Sequence, residues 1–402
     1  MKGASVDAEE ARTIGQQLRR IRKSRGKSRR VLAELAGMSR TTLQRIESGQ
    51  RALDKRSEVV ALANVLQIAP SELTKLPIPA PANGDKDTAV KAVRRALTAV
   101  SRNRFNGEVL PVEVLKTRVQ AVLVAGRQCR QAEVGATLPA LTLDLHTSIA
   151  AGRDVAELLD LAVLLHTQGS HAWLKVMGAS GDLRSLAALL AHHAAEDRDE
   201  PTALGLAVWG DALAMLAEGD FDLAQDELDA VTVPTNSPES MQMAGMLALC
   251  QSLVAAADRR PADADAALEY AAELAEHTGE GNAFSLGFGP TNVGLWRMAA
   301  ALEAGDHEQT ARIAEGLRPD AHPNLSRQAA YWIDYGRALA RLRGRQDDAV
   351  KAFRRAEVIC PLHMLRNPFA RDVLAELLTR VHRGSPVDRE LRGMAYRAGL
   401  LV

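Results

Sequence analysis

Aromatic residues and cysteines are scarce in this chain. Over 402 residues, Trp, Tyr and Phe together make up 3%, and the three cysteines are Cys129, Cys250 and Cys360. The cysteines stand far apart with no CxxC pair, so spacing supports neither a zinc site nor a disulfide framework. The expectation is three small apolar core residues in a reduced, cytoplasmic protein. No apolar run approaches the ~20 residues needed to cross a bilayer, and no short apolar leader follows Met1. Catalytic signatures are missing too. There is no nucleophile elbow and no P-loop, and the glycines at Gly287 and Gly289 are followed by no Lys-Ser/Thr pair. His192-His193 and His166/His171 lack HExxH spacing. No metal, no cofactor and no enzyme activity are therefore expected. Glycine and proline are thin over long stretches and β-branched runs are few. The chain as a whole is rich in Ala and Leu and 47% apolar, which favours an all-α fold of roughly two to three domains.

Charge is balanced only on average. The chain has 50 basic and 50 acidic residues, but fourteen Lys/Arg and only four Asp/Glu lie between Arg12 and Val60. Thirty-six basic and forty-six acidic residues remain elsewhere, so a head of about +10 precedes a body of about −10. That asymmetry points to a polyanion-binding head on an acidic body.

Within the head, Ile14, Leu18 and Ile21 mark one face of a helix over Ile14 to Ser24, stopped by Gly26. Ser28 caps a second helix, Arg29 to Ala36, closed by Gly37, and Ser39 caps a third, Arg40 to Ser48, closed by Gly49. A fourth runs from Arg56 to Leu66, and Ser71 caps a last turn through Leu73. In the third helix, Leu43 and Ile46 must face inward, which turns Arg40, Thr41, Gln44, Arg45 and Ser48 outward. Arginine can form paired hydrogen bonds to guanine and an amide suits adenine, while a threonine methyl can meet a thymine methyl.

The segment LAELAGMSRTTLQRIESGQRALDKRSEVVALANVLQIAPSEL resembles the XRE, or Cro/phage-repressor-like, helix-turn-helix domain, over residues 10–76. The resemblance implies that Arg40, Thr41 and Arg45, assisted by Gln44, face the bases of double-stranded DNA. It implies that Ser28, Arg29, Ser39, Ser48 and Lys55 touch phosphate. Arg22 and Glu47 match a buried ion pair that braces the first helix against the third. Arg29 stands where many relatives carry Gln, which implies a simple phosphate clamp.

Residues 77–87 hold three prolines and read as a semi-rigid linker. Beyond them, residues 88–402 form a long Ala/Leu-rich series broken at Gly181-Asp182, Gly219-Asp220, Arg260-Pro261, Gly305-Asp306 and Gly344-Arg345. The breaks lie 38, 41, 45 and 39 residues apart, the period of an α-solenoid with two helices per unit. The best unit, YWIDYGRALARLRGRQDDAVKAFRRAEVICP, places Trp332, Gly336, Leu339, Gly344, Ala349, Phe353, Ala356 and Pro361 nearly as a tetratricopeptide repeat does. The architecture resembles bacterial regulators that read intracellular signalling peptides, and also a broad group of actinobacterial regulators of similar length. It implies a homodimer on a pseudo-palindromic operator, with a peptide or small-molecule signal bound by the repeats. A ligand-independent regulator whose repeats recruit a protein partner is the alternative. Candidate ligand contacts are Asn292 and Trp296, after the turn at Gly287, Gly289 and Pro290, together with Arg337, Asn367 and Arg371. Thr291 or Asn292 is the expected cap of the helix after that turn.

Overall fold

The computed structural model describes residues 13–74 and 85–400, and every regular element among them is helical. The chain divides into two compact units: unit I is Met1–Pro79 together with Leu365–Val402, and unit II is Ala80–Met364. Most of the expected linker, residues 77–87, lies outside the described residues, and its last positions already belong to the helix Asp85–Ser101.

Unit I begins with five short helices: α1 (Ile14–Ser24), α2 (Arg29–Leu35), α3 (Arg40–Glu47), α4 (Arg56–Leu66) and α5 (Pro70–Thr74). Local chemistry sets the boundaries. Side-chain oxygens of Thr13, Ser28 and Ser39 accept the free amides of Gln16, Val31 and Thr42 at the starts of α1, α2 and α3. Gly26, Gly37 and Gly49 take positive φ just past their ends, where a Cβ would be strained. The next amide in each case, on Lys27, Met38 and Gln50, then bonds back to a carbonyl of the last turn. Leu18, Leu32, Leu43, Ile46 and Leu62 meet in a fully buried core. At Gly15 the backbones of α1 and α3 touch, because a Cβ there would run into the Ile46 carbonyl.

The other part of unit I comes from the far end of the sequence. The helix Pro368–Arg380 brings two buried carboxylates to the N-terminal helices. Asp372 Oδ1 accepts the amide of Ile14, the first residue of α1, at 2.9 Å, and Oδ2 accepts that of Leu53 at 2.7 Å. Glu376 Oε2 accepts the amide of Ala52 at 2.7 Å. Phe369 packs on the same core, beneath the Arg56 guanidinium at 5.6 Å. Buried amides need partners, and an anion suits a helix N-terminus. The sequence pattern assigned residues 365–402 to the repeats, whereas their contacts group them with the N-terminal helices.

Unit II opens with the helices Asp85–Ser101, Val112–Arg127, Gln131–Ala150 and Val155–Leu164, the last continuing through a π-helical stretch, Leu165–His171, to Val176. After Gly181–Arg198, four hairpins follow: Pro201–Glu218 with Phe221–Asp229, Pro238–Ala257 with Pro261–Thr278, Pro290–Ala304 with His307–Gly316, and Leu325–Arg341 with Gln346–Ile359. Each hairpin turns at one of the expected breaks. Pro201, Pro238, Pro261 and Pro290 each open a helix where the missing amide is harmless. The first helix of each hairpin packs on the first helix of the next, so the hairpins stack in sequence order. Small residues permit the close approach: a Cβ on Gly336 would lie 2.9 Å from the Phe353 ring.

The structure corrects two expectations from composition. Cys129 and Cys360 form a disulfide with Cα atoms 5.6 Å apart, while Cys250 is free and buried. The two partners are 231 residues apart in sequence and meet only because the fourth hairpin packs near the end of Val112–Arg127. Spacing could not reveal this pairing. The helix Pro238–Ala257 is also long and apolar enough, by length and composition, to cross a membrane. Its apolar window is 89% buried, however, and it serves as the central core helix of unit II.

Two outcomes are expected. Asp372→Ala should destabilise unit I by about 3 kcal/mol or more, because two amides lose a charged acceptor. Hydrogen exchange on the full-length protein should then show faster exchange in α1 and around Leu53, with hairpin protection unchanged. Reduction of the disulfide, or Cys129→Ser, should lower the stability of unit II by about 2–4 kcal/mol. Thermal unfolding with and without reductant checks this.

Candidate nucleic-acid interface

The face of α3 predicted to point outward does so. Arg40, Thr41, Gln44, Arg45 and Ser48 are exposed, while Leu43, Ile46 and Glu47 are buried. An eight-residue helix with three inward positions leaves one continuous polar strip. Arg40 and Arg45, with Arg19, Arg20, Arg25 and Arg30 nearby in sequence, are exposed and meet no carboxylate among the described residues. Arg22, Arg29 and Arg51 are instead held in ion pairs. The basic residues thus divide into a structural set and a set open to an external polyanion.

Glu47 is the centre of the structural set. Arg22 donates to it from Nε at 2.5 Å and from Nη2 at 3.1 Å, and also from Nη1 to the Lys27 carbonyl at 2.7 Å. Arg29 adds a bond from Nε at 2.6 Å. The expected Arg22–Glu47 brace is therefore present, with Arg29 as a third member. This is a role for Arg29 beyond the simple phosphate clamp that the resemblance implied. Burial alone would raise the Glu47 pKa, but the hydrogen bonds and charges of Arg22 and Arg29 outweigh it and hold the carboxyl below its ordinary value.

The serines have local duties. Ser28 and Ser39 cap their helices, Ser39 also donates to Thr42 Oγ1 at 2.9 Å, and Ser48 donates to the Arg45 carbonyl at 3.1 Å. For Ser39 and Ser48 a phosphate would have to displace those bonds. Lys55 is half-buried at the start of α4.

The five candidate ligand contacts do not form one group. Asn367 and Arg371 belong to unit I. Asn367 caps the helix Pro368–Arg380 through Ala370, and Arg371 is fully buried, its guanidinium pushed down to about 10 by burial. Arg337 lies in unit II but is buried between Asp334, at 2.8 Å, and Glu303. Asn292 and Trp296 do come together, one turn apart and both buried, and the structure adds Arg327 to them. Neither Thr291 nor Asn292 caps its helix. Glu280, from the preceding turn, accepts the Thr291 amide at 2.8 Å instead. Arg327 was missed because nothing in SRQAAYW distinguishes it from any other helical arginine. His166 sits against His146, 2.8 Å between Nε2 atoms, rather than with His171, and burial lowers both imidazoles, His146 to about 4. Among the described residues no group of three or more His, Cys, Asp or Glu could hold a metal ion.

The Glu47 cluster carries an acid dependence. With its pKa depressed by folding, its contribution is complete above the unfolded value near 4.5 and disappears as pH falls through the folded value. Glu47→Gln should cost about 3–5 kcal/mol at pH 7, because it leaves two guanidiniums without their carboxylate. It should also flatten the acid limb of the unfolding profile, measured by circular dichroism from pH 7 to pH 3.

A family model described as a helix-turn-helix domain matches residues 13–76. No curated protein and no solved structure matches the chain. The N-terminal helices are therefore a helix-turn-helix domain, the fold of a DNA-binding regulator.

Proposed function

We propose that this protein is a sequence-specific transcriptional regulator of the XRE, Cro/phage-repressor-like type, and that α3 reads base edges in a major groove. The observation that carries this is the polar strip of α3, in which Arg40 and Arg45 are exposed and without acidic partners. Arg40 and Arg45 would bond guanine, with Thr41 and Gln44 beside them. Arg29, Ser28, Ser39, Ser48 and Lys55 would lie along the phosphates. Such domains work as pairs on half-sites about one helical turn apart, so a homodimer on a pseudo-palindromic operator is part of the reading.

Unit II is the sensing part in this reading, a tetratricopeptide-like stack that takes a peptide or small-molecule signal. Its stacked hairpins, spaced about forty residues apart in sequence, support this reading. The protein would act in the cytoplasm, where its operator is accessible.

Selection of duplexes from a random pool by the full-length protein should yield a consensus with two related halves. Arg40→Ala and Arg45→Ala should each reduce preference for it by about 1–3 kcal/mol, roughly fivefold to 150-fold, at unchanged fold. Recovery of no consensus, or variants that discriminate as well as the wild type, would overturn the reading.

A further inference from the structure

The interior of unit II contains a positive charge that forms no ion pair among the described residues. Arg327, on the first helix of the fourth hairpin, places its guanidinium over the Trp296 ring, with Cζ 5.3 Å from the centroid. Its one hydrogen bond to another side chain among the described residues runs from Nη2 to Asn292 Oδ1, at 3.1 Å. Asn292 is itself fully buried and directs Nδ2 at the Met246 sulfur, 3.5 Å away, which fixes its oxygen toward the arginine. No carboxylate among the described residues reaches ion-pairing distance of Arg327. Asp334 favours the charged form from further off, but its Oδ1 is already bonded to Arg337.

Unused donors surround this charge. Arg327 Nε and Trp296 Nε1 are both buried and meet no acceptor among the described residues. The guanidinium lies deep enough that burial lowers it to about 10, so it remains charged at neutral pH, yet the residue keeps part of its surface accessible. Two imidazoles respond to the charge. His322 and His363 are each held near 4, first by burial and then by neighbouring cations, with Arg327 among them in both cases. A buried cation is unfavourable unless an anion accompanies it. Two unused N–H donors beside a buried guanidinium suit the oxygens of a carboxylate or phosphate.

We propose that Arg327, Trp296 and Asn292 form a recessed anion site that takes the carboxylate or phosphate group of a small ligand. Arg327 binds the oxyanion through its Nε edge and Trp296 Nε1 adds a bond. Asn292 positions the guanidinium without touching the ligand. The proposal deepens the reading of unit II as the sensing part, by naming the chemistry it would sense.

Thermal unfolding of the full-length protein in low-salt Tris buffer, titrated with inorganic phosphate in one arm and acetate in the other, tests it. At least one anion should raise the melting temperature of unit II along a saturable curve, and the arm that responds identifies the oxyanion. Arg327→Gln should shift the half-saturating concentration at least tenfold upward. Without added anion, that variant should melt within about 3 °C of the wild type or above it, because it removes an uncompensated charge. Arg327→Lys, which keeps the charge and loses the Nε donor, should bind more weakly than the wild type and more tightly than Arg327→Gln. No saturable response of the wild type to either anion, or an undiminished response of Arg327→Gln, would overturn the site. So would a large loss of stability in Arg327→Gln without anion. DNA binding is not read in this experiment, so its failure leaves the reading of α3 intact, and a failure of α3 leaves the anion site intact.

Discussion

The carboxylate of Glu47 ties three helices at one buried point, and the presentation of α3 follows from it. Left alone in an apolar interior, that group would take up a proton rather than remain charged. Here it receives Arg22 from α1 and Arg29 from the start of α2. Because Glu47 is the last residue of α3, its anchoring fixes the rotation of the whole helix. Leu43 and Ile46 then enter the core and the opposite strip faces outward. Arg22 is committed to this brace and to the Lys27 carbonyl, whereas Arg29 gives it one bond from Nε and keeps part of its side chain exposed.

Buried carboxylates do a second job in unit I. Asp372 and Glu376 accept amides from the start of α1 and from the segment before α4, positions that lack a partner in their own stretch of chain. A helix-turn-helix domain is usually thought of as a contiguous module, but here it is completed by residues more than three hundred positions away. Unit II is thus an insertion between two parts of one unit. The chain leaves unit I once and returns once, so any change within unit II reaches the N-terminal helices through two covalent connections instead of one.

What could be read from the sequence was what local chemistry determines. Serine caps, glycine stops and the three-residue spacing of Leu43 and Ile46 gave the α3 face and most helix ends to within a residue. The Gly219-Asp220 and Gly305-Asp306 breaks gave two of the hairpin turns because a left-handed glycine ends one helix and an aspartate precedes the next. What could not be read depends on distant partners. Neither Asp372 nor Glu376 carries a local mark of its role, since an acidic residue on an amphipathic helix is ordinarily solvated. Cys129 and Cys360 look like isolated core cysteines until the fourth hairpin closes on the end of Val112–Arg127. The start of the helix at Pro290 is hidden from local reading for the same reason: the Glu280 carboxylate that accepts the Thr291 amide approaches from eleven residues upstream.

Asn292 shows how a correct residue can have a different task from the one its chemistry suggested. An amide on an inner helix can clasp a peptide backbone, but this one is fully buried, with its nitrogen facing a sulfur and its oxygen facing a guanidinium. What it holds is a charge. A ligand shifts a protein between states only through a difference in its interaction with them. Neutralising a buried cation supplies such a difference directly, whereas filling an already satisfied apolar groove does not. Within the Ala- and Leu-rich stack of hairpins, Arg337 is matched by Asp334 and Glu303, whereas Arg327 pairs with no carboxylate among the described residues. In sequence it is followed, within one hairpin and one short helix, by the disulfide residue Cys360 and then by the return of the chain to unit I at Leu365. The charge therefore sits in the last hairpin before the chain re-enters the unit that carries α3.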